Sequence, residues 1–312
     1  MKAHPVDELV VITPYFNPCH YLTRRKNYGI FLDGIARAGV RCITIECAFG
    51  GDDFELAETA DVMRIRARDV LWQKERLINL AAASLPRQCK HVAILDGDIL
   101  FENKCWVDDL MGVMQTCSIA QVFESALMLD EHGDHTDSSI YESFSSVMSK
   151  HAEKLVHSNY AVEHGHSGLG WVMHREILDS VGLYEAGIVG GSDHFLTHAC
   201  FNDFGKCLVH ELKNNERIIA HLEAWARRFY PFVMGNVGVV PGRIRHLWHG
   251  DFAKRRYVDR MHDVIDLGFD PWTDLKVVDG MPLEWTGDVT KPELRQFVSS
   301  YFACRDEDGL RS

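Results

Sequence analysis

His91-Val92-Ala93-Ile94-Leu95-Asp96-Gly97-Asp98 is a short apolar run that ends on two carboxylates one residue apart. Its length and its sharp polar stop are those of a strand buried on both faces. In an open α/β sheet the ligand sits beyond the carboxyl ends of the strands, so such a strand would deliver Asp96 and Asp98 to that edge. Two carboxylates there suit a divalent cation. The spacing alone is weak evidence, because a second Asp-x-Asp, Asp306-Glu307-Asp308, lies in the polar tail. That pair follows no strand and is set aside.

The flanking sequence supplies the sheet. Leu9-Val10-Val11-Ile12-Thr13 reads as a first buried strand that stops at Pro14, with an exit loop over residues 14–18. A helix follows over residues 21–38, with Tyr28, Phe31, Leu32 and Ile35 on one face and Gly39 as its stop. Further strands are expected at residues 41–45, ending at Glu46, at 62–66 and at 119–123, with helices over 72–84 and 107–117. Strands alternating with helices predict an α/β fold with a mostly parallel sheet covered on both sides. Residues 130–157 are polar and poorly periodic, and read as an insertion or lid over the site. Later segments expected are a glycine-broken strand at 165–172, helices at 175–181 and 192–202, and a helix at 257–267.

The composition is that of a globular protein, with 46% hydrophobic and 25% charged residues. No apolar stretch is long enough to span a membrane and the start of the chain has no signal-like apolar core, so a cytoplasmic protein is expected. Nine scattered cysteines without a Cys-x-x-Cys pair fit reduced, structural thiols. A net charge of −12 argues against a nucleic-acid grip over the whole surface. Residues 213–260, however, hold ten basic against four acidic side chains. A basic segment on an acidic body suits an anionic ligand such as a diphosphate.

In order along the chain, Val10-Val11-Ile12-Thr13-Pro14-Tyr15-Phe16-Asn17, Trp72-Gln73-Lys74-Glu75-Arg76, Ile94-Leu95-Asp96-Gly97-Asp98, Gly168-Leu169-Gly170-Trp171, Gly190-Gly191-Ser192-Asp193-His194 and His246-Leu247-Trp248-His249-Gly250 together resemble the nucleotide-sugar glycosyltransferases of the GT-A fold. The later motifs are similar to the β-galactosyltransferase branch. The resemblance implies a Rossmann-like GT-A domain over residues 1–275, with a nucleotide-binding half to about residue 125 and an acceptor-side, catalytic half over 126–275. Residues 276–312 would be a C-terminal extension.

The resemblance also implies roles. Asp98 would bind Mn²⁺ (or Mg²⁺), with Asp96 meeting the donor ribose or acting through water. By position His249 would be a further metal ligand, with His246 as runner-up, and an imidazole favours Mn²⁺. Asp193 would be the base that deprotonates the acceptor hydroxyl. Ser192 stands where that branch has glutamate, which puts acceptor binding by that neighbour in doubt. Pro14, Tyr15, Phe16, Glu46, Lys74 and Arg255 would serve the donor, while Gly190, Gly191, His194 and Trp171 would face the acceptor. His164 and His166 could hold a metal with the cysteines, although the order of motifs favours an acceptor-side or core role.

The expected activity is metal-dependent, inverting transfer from a nucleoside-diphosphate sugar, a UDP-sugar favoured, to a saccharide, a protein or a modified nucleic acid. A bacterial or phage enzyme fits a chain with neither signal nor anchor. A nucleotidyltransferase is the first alternative. Pro-Tyr-Phe-Asn stands where such enzymes carry a glycine-rich basic loop, which disfavours it. A catalytically inactive sugar-nucleotide-binding or interaction module is the second, and intact Asp98 and Asp193 argue against it.

Overall fold

The computed structural model of the chain describes residues 8–157, 161–257, 259–287 and 291–309. The first seven residues, read above for a signal, lie outside this set, as does Val258 within the helix expected over 257–267.

Seven strands form the main sheet, in the order Val237–Val239, Ile119–Gln121, Gly170–His174, His91–Leu95, Leu9–Phe16, Arg41–Phe49, Val62–Ala67. Every pairing is parallel except the two made by Gly170–His174, which runs antiparallel to both neighbours. Successive side chains on a strand point to opposite faces. Val10, Ile12, Val92 and Ile94 therefore pack on one face with Leu77, Ile78 and Ala81 of the helix Lys74–Ala83. Val11, Ala93 and Leu95 pack on the other with Phe31 and Ile35 of the helix Leu22–Ala38. All are almost fully buried, and each Val, Leu, Ile or Phe among them stabilises the fold by about 1.5–3 kcal/mol. Gly39, in the left-handed region at φ 69°, ends the first helix as expected.

Two strands outrun their expected ends. Leu9–Phe16 continues through Pro14, because beyond Ile12 it pairs only with Arg41–Phe49 and its other side is open, so the missing proline N–H costs no ladder bond there. Arg41–Phe49 continues past Glu46, which sits inside the strand rather than at its end. The expected insertion is also more regular than its polarity suggested, with a strand at Ile140–Glu142 and a helix at Phe144–Lys150.

A second sheet, in the order Ile99–Phe101, Arg243–His246, Ser125–Met128, Ile140–Glu142, builds the far side of the ligand edge. Its register sets Ile99 opposite His246, and Leu247 N–H donates to the Asp98 carbonyl at 2.8 Å. Residues separated by almost 150 positions are thereby fixed side by side. The tail helix Pro292–Cys304 docks on the main body through Phe302, which stacks on Trp72 with ring centroids 6.1 Å apart. No helix among the described residues is long and apolar enough to cross a membrane.

Candidate active site

The strand carboxyl ends open into a cavity of about 740 Å³. Two groups of side chains face it. In the first, Lys74 Nζ donates to Asp96 Oδ1 at 2.7 Å and to Asp193 Oδ2 at 3.0 Å. Lys74 is the first residue of its helix, and Asp193 is the second of the helix Ser192–Phe201. That helix starts from Gly190 and Gly191, both in the left-handed region at φ 87° and 99°. A side chain on Gly190 would press on Trp72 and Arg260, so glycine lets the turn pack against the cavity wall. Burial raises the Asp193 carboxyl above the usual range, Lys74 opposes this, and Asp96 reinforces it. Burial disfavours the Lys74 ammonium, but Asp193 and Asp96 outweigh it and hold the lysine charged.

In the second group, Asp98 Oδ2 lies 3.0 Å from His249 Nε2, and Asp98 Oδ1 lies 3.7 Å from His246 Nε2. The two imidazole Nε2 atoms are 3.3 Å apart. Burial pushes the Asp98 carboxyl up, yet His246, His249 and Arg255 together hold it well below the usual carboxylate range. Burial also lowers His246 to about 3, which keeps its imidazole neutral, the form that binds a metal. His249 Nε2 faces contradictory demands. Arg255 Nη2 at 2.9 Å can only donate to it, whereas the Asp98 carboxylate can only accept from it. A cation between Asp98 and the two imidazoles would sit where Asp98 Oδ1 is buried without a hydrogen-bond partner, and one carboxylate with two imidazoles suits Mn²⁺ better than Mg²⁺. The residues present therefore fit the expected metal.

Of the other expected residues, Pro14, Phe16 and Gly191 line the cavity, and Arg255 reaches it with its guanidinium. Phe16 meets Trp72 edge to face at 5.3 Å between centroids. Five residues depart from expectation, the first being Gly190, which lies against Trp72 and Arg260 rather than lining the cavity. Tyr15 points to the opposite face of its strand from Phe16, as a period of two requires, and its hydroxyl donates to Glu55. Glu46 accepts from the backbone N–H groups of Glu55 and Leu56, so it holds the loop after its strand rather than a donor. Trp171 is 2% exposed and packs in the core, its indole N–H donating to Ser167. His194 reaches the cavity wall, but Glu211 and two other histidines engage its ring nitrogens, which leaves none for an acceptor.

Sequence reading also missed members of the site. Glu307, from the tail motif set aside above, lies 3.6 Å from His249 Nδ1, and Arg305 joins the cavity wall with its guanidinium over Trp72. No helix or strand period marks these positions, and only the docking of the tail brings them in. His166, read above as an acceptor-side or core residue, lines the cavity, its imidazole lowered to about 4 chiefly by burial. The basic segment is largely paired within the fold: Lys213 with Asp266, Arg217 with Asp270, and Arg243 and Arg245 with Glu102. Arg255 and Arg260 instead turn inward, 7% and 4% exposed.

No protein-family model matches the chain, and no curated protein does. Among solved structures it is similar to the catalytic domain of Drosophila β1,4-galactosyltransferase 7 in complex with xylobiose, at 10% identity and TM-score 0.40, over 93% of this chain and 99% of that one. A mutant of the same enzyme, in complex with manganese, UDP-Gal and xylobiose, aligns at 12% identity and TM-score 0.33 over 62% of this chain and 60% of that one. Mannosyl-3-phosphoglycerate synthase from Rubrobacter xylanophilus aligns at 10% identity and TM-score 0.41 over 88% and 82%.

Proposed function

We propose that the chain is a metal-dependent glycosyltransferase that moves a sugar, with inversion, from a nucleoside-diphosphate sugar to a saccharide hydroxyl. The observation that carries this reading is the placement of Asp98, His246 and His249 in one cavity with the Lys74-bridged pair Asp96 and Asp193. Asp98, His246 and His249 would hold Mn²⁺, which when bound neutralises charge on the leaving diphosphate. Burial raises the Asp193 carboxyl above the usual range, as a base working near neutral pH needs. It takes the proton of the acceptor hydroxyl as that oxygen attacks the anomeric carbon. The bond from that carbon to the diphosphate oxygen breaks, and the nucleoside diphosphate leaves with its electron pair. Lys74 keeps Asp193 aimed and shields it from Asp96, while Arg255, Arg260 and Arg305 offer cations to the phosphates. Trp72 and Phe16 supply the apolar wall.

A panel of sugar nucleotides, UDP-sugars first, assayed for hydrolysis and transfer with and without Mn²⁺, tests the reading. Asp193→Asn should lower turnover by about 10²–10⁴-fold with donor affinity unchanged. Asp98→Ala should abolish Mn²⁺-dependent nucleoside-diphosphate binding. Wild-type activity in Asp193→Asn, or metal-dependent affinity persisting in Asp98→Ala, would remove the assignment.

A further inference from the structure

Behind the acceptor-side wall lie four residues that sugar transfer does not use: His164, His194, His198 and Cys207. They come from three elements. His164 ends the turn Ala161–His164, His194 and His198 stand one turn apart on the helix Ser192–Phe201, and Cys207 is on the helix Lys206–Glu211. All four are at most 5% exposed. The Nε2 atom of His194 is 3.1 Å from Nε2 of His164 and 3.1 Å from Nε2 of His198. Cys207 Sγ is 3.2 Å from His198 Nε2 and 3.7 Å from His194 Nε2.

The outer ring nitrogens fix the tautomers. His198 Nδ1 faces the Asp203 carbonyl at 2.5 Å, and a carbonyl can only accept, so Nδ1 carries the hydrogen and Nε2 a lone pair. His194 Nδ1 faces the Glu211 carboxylate at 2.5 Å, so a hydrogen sits on Nδ1 there too. His194 Nε2 thus has at most one hydrogen for the two imidazole nitrogens that face it at 3.1 Å in a dry interior, with a sulfur beside them. The Cys207 thiol has one hydrogen and can relieve a single contact. A cation relieves them all.

We infer that His164, His194, His198 and Cys207 form a second, structural metal site that holds Zn²⁺. With Zn–N of about 2.0–2.1 Å and Zn–S of about 2.3 Å, a tetrahedral ion sets its ligand atoms about 3.3–3.6 Å apart, close to the spacings here. Four buried protein ligands close the coordination sphere, which marks a structural rather than a catalytic ion. Glu211 and the Asp203 carbonyl orient the imidazoles as partners of metal-bound histidines do. Cys207 binds as the thiolate and releases its proton to solvent. The ion would lock the turn before His166 to the helix that presents Asp193, so it fixes two walls of the cavity without entering the reaction. The inference stands whether or not the sugar-transfer reading does.

The test is metal content. Protein purified without chelator should carry one zinc per chain by plasma mass spectrometry. That zinc should persist in Asp98→Ala and be lost in Cys207→Ser and His198→Gln. Cobalt-loaded wild type should show the visible absorption of a tetrahedral ion and a near-ultraviolet thiolate band, and Cys207→Ser should lack the thiolate band. Demetallated wild type should gain thermal stability when Zn²⁺ is added, a readout that depends on no variant folding. Zinc-free wild type whose melting does not respond to Zn²⁺ would overturn the site. So would zinc that stays in Cys207→Ser and disappears in Asp98→Ala.

Discussion

Lys74 is the residue on which the two carboxylates Asp96 and Asp193 depend. Its ammonium lies within 3.0 Å of both Asp96 and Asp193, which would otherwise face each other as like charges in a buried cleft. Removing one partner of such a buried set costs about 3–5 kcal/mol, because it leaves uncompensated charge. Lys74→Met should therefore raise the Asp193 carboxyl further, and the ascending limb of turnover against pH should move to higher pH. Sugar-nucleotide turnover measured across pH checks this, and an unmoved limb would separate Lys74 from the base. Asp98, His246 and His249, the proposed metal ligands that the structure brings together, were each singled out in the sequence, but the choice between the two histidines was left open there. The structure offers both, because His246 closes a strand paired with Ile99 while His249 reaches back from the loop beyond it.

At the scale of the element, the central strand carries a pH response of its own. His91 sits directly opposite His174 on the antiparallel neighbour, with ring centroids 5.0 Å apart. Burial, then the nearby His174, lowers His91 to about 4. The unfolded chain takes up a proton near the ordinary histidine pKa of about 6.5, while the folded chain does so only near 4, so stability is full above about 6.5 and falls as the pH drops through that window. Thermal or urea unfolding should lose about 2 kcal/mol between pH 7 and 4 on account of this group. His91→Gln should flatten that slope, and an unchanged slope would place the titration elsewhere. The ends of strands were harder to foresee than their existence. Pro14 and Glu46 look like stops in one dimension, yet a one-sided pairing tolerates the proline, and the loop amides of Glu55 and Leu56 satisfy the buried glutamate.

Over the whole molecule, the tail completes the site. Phe302 stacks on Trp72, Glu307 accepts from Arg305 at 2.7 Å beside His249, and Asp308 accepts from the backbone N–H groups of Leu22 and Thr23 at the start of the first helix. Gly250, at φ 84°, lets the loop after His249 approach the tail so closely that a Cβ would lie 2.7 Å from the Asp306 carbonyl oxygen. A chain ending at Gly287 should therefore melt several degrees lower and bind Mn²⁺ and nucleoside diphosphate at least tenfold more weakly, as read by thermal shift and calorimetry. Wild-type metal affinity in the shortened chain would show the tail to be dispensable.

The sequence by itself determined the alternation of strands and helices and the buried strand that ends at Asp96, because period and punctuation are local properties, while the roles proposed for Asp98, Asp193 and His249 rest on the family resemblance of ordered motifs. The tertiary structure decided which polar residues meet. Tyr15 and Glu46 left the cavity through strand alternation and loop capping, Glu307 and Arg305 joined it from a tail nearly sixty residues beyond His249, and His194 turned from the acceptor toward His164, His198 and Cys207. Contacts between residues far apart in the chain are set by how elements pack, and no local pattern encodes them.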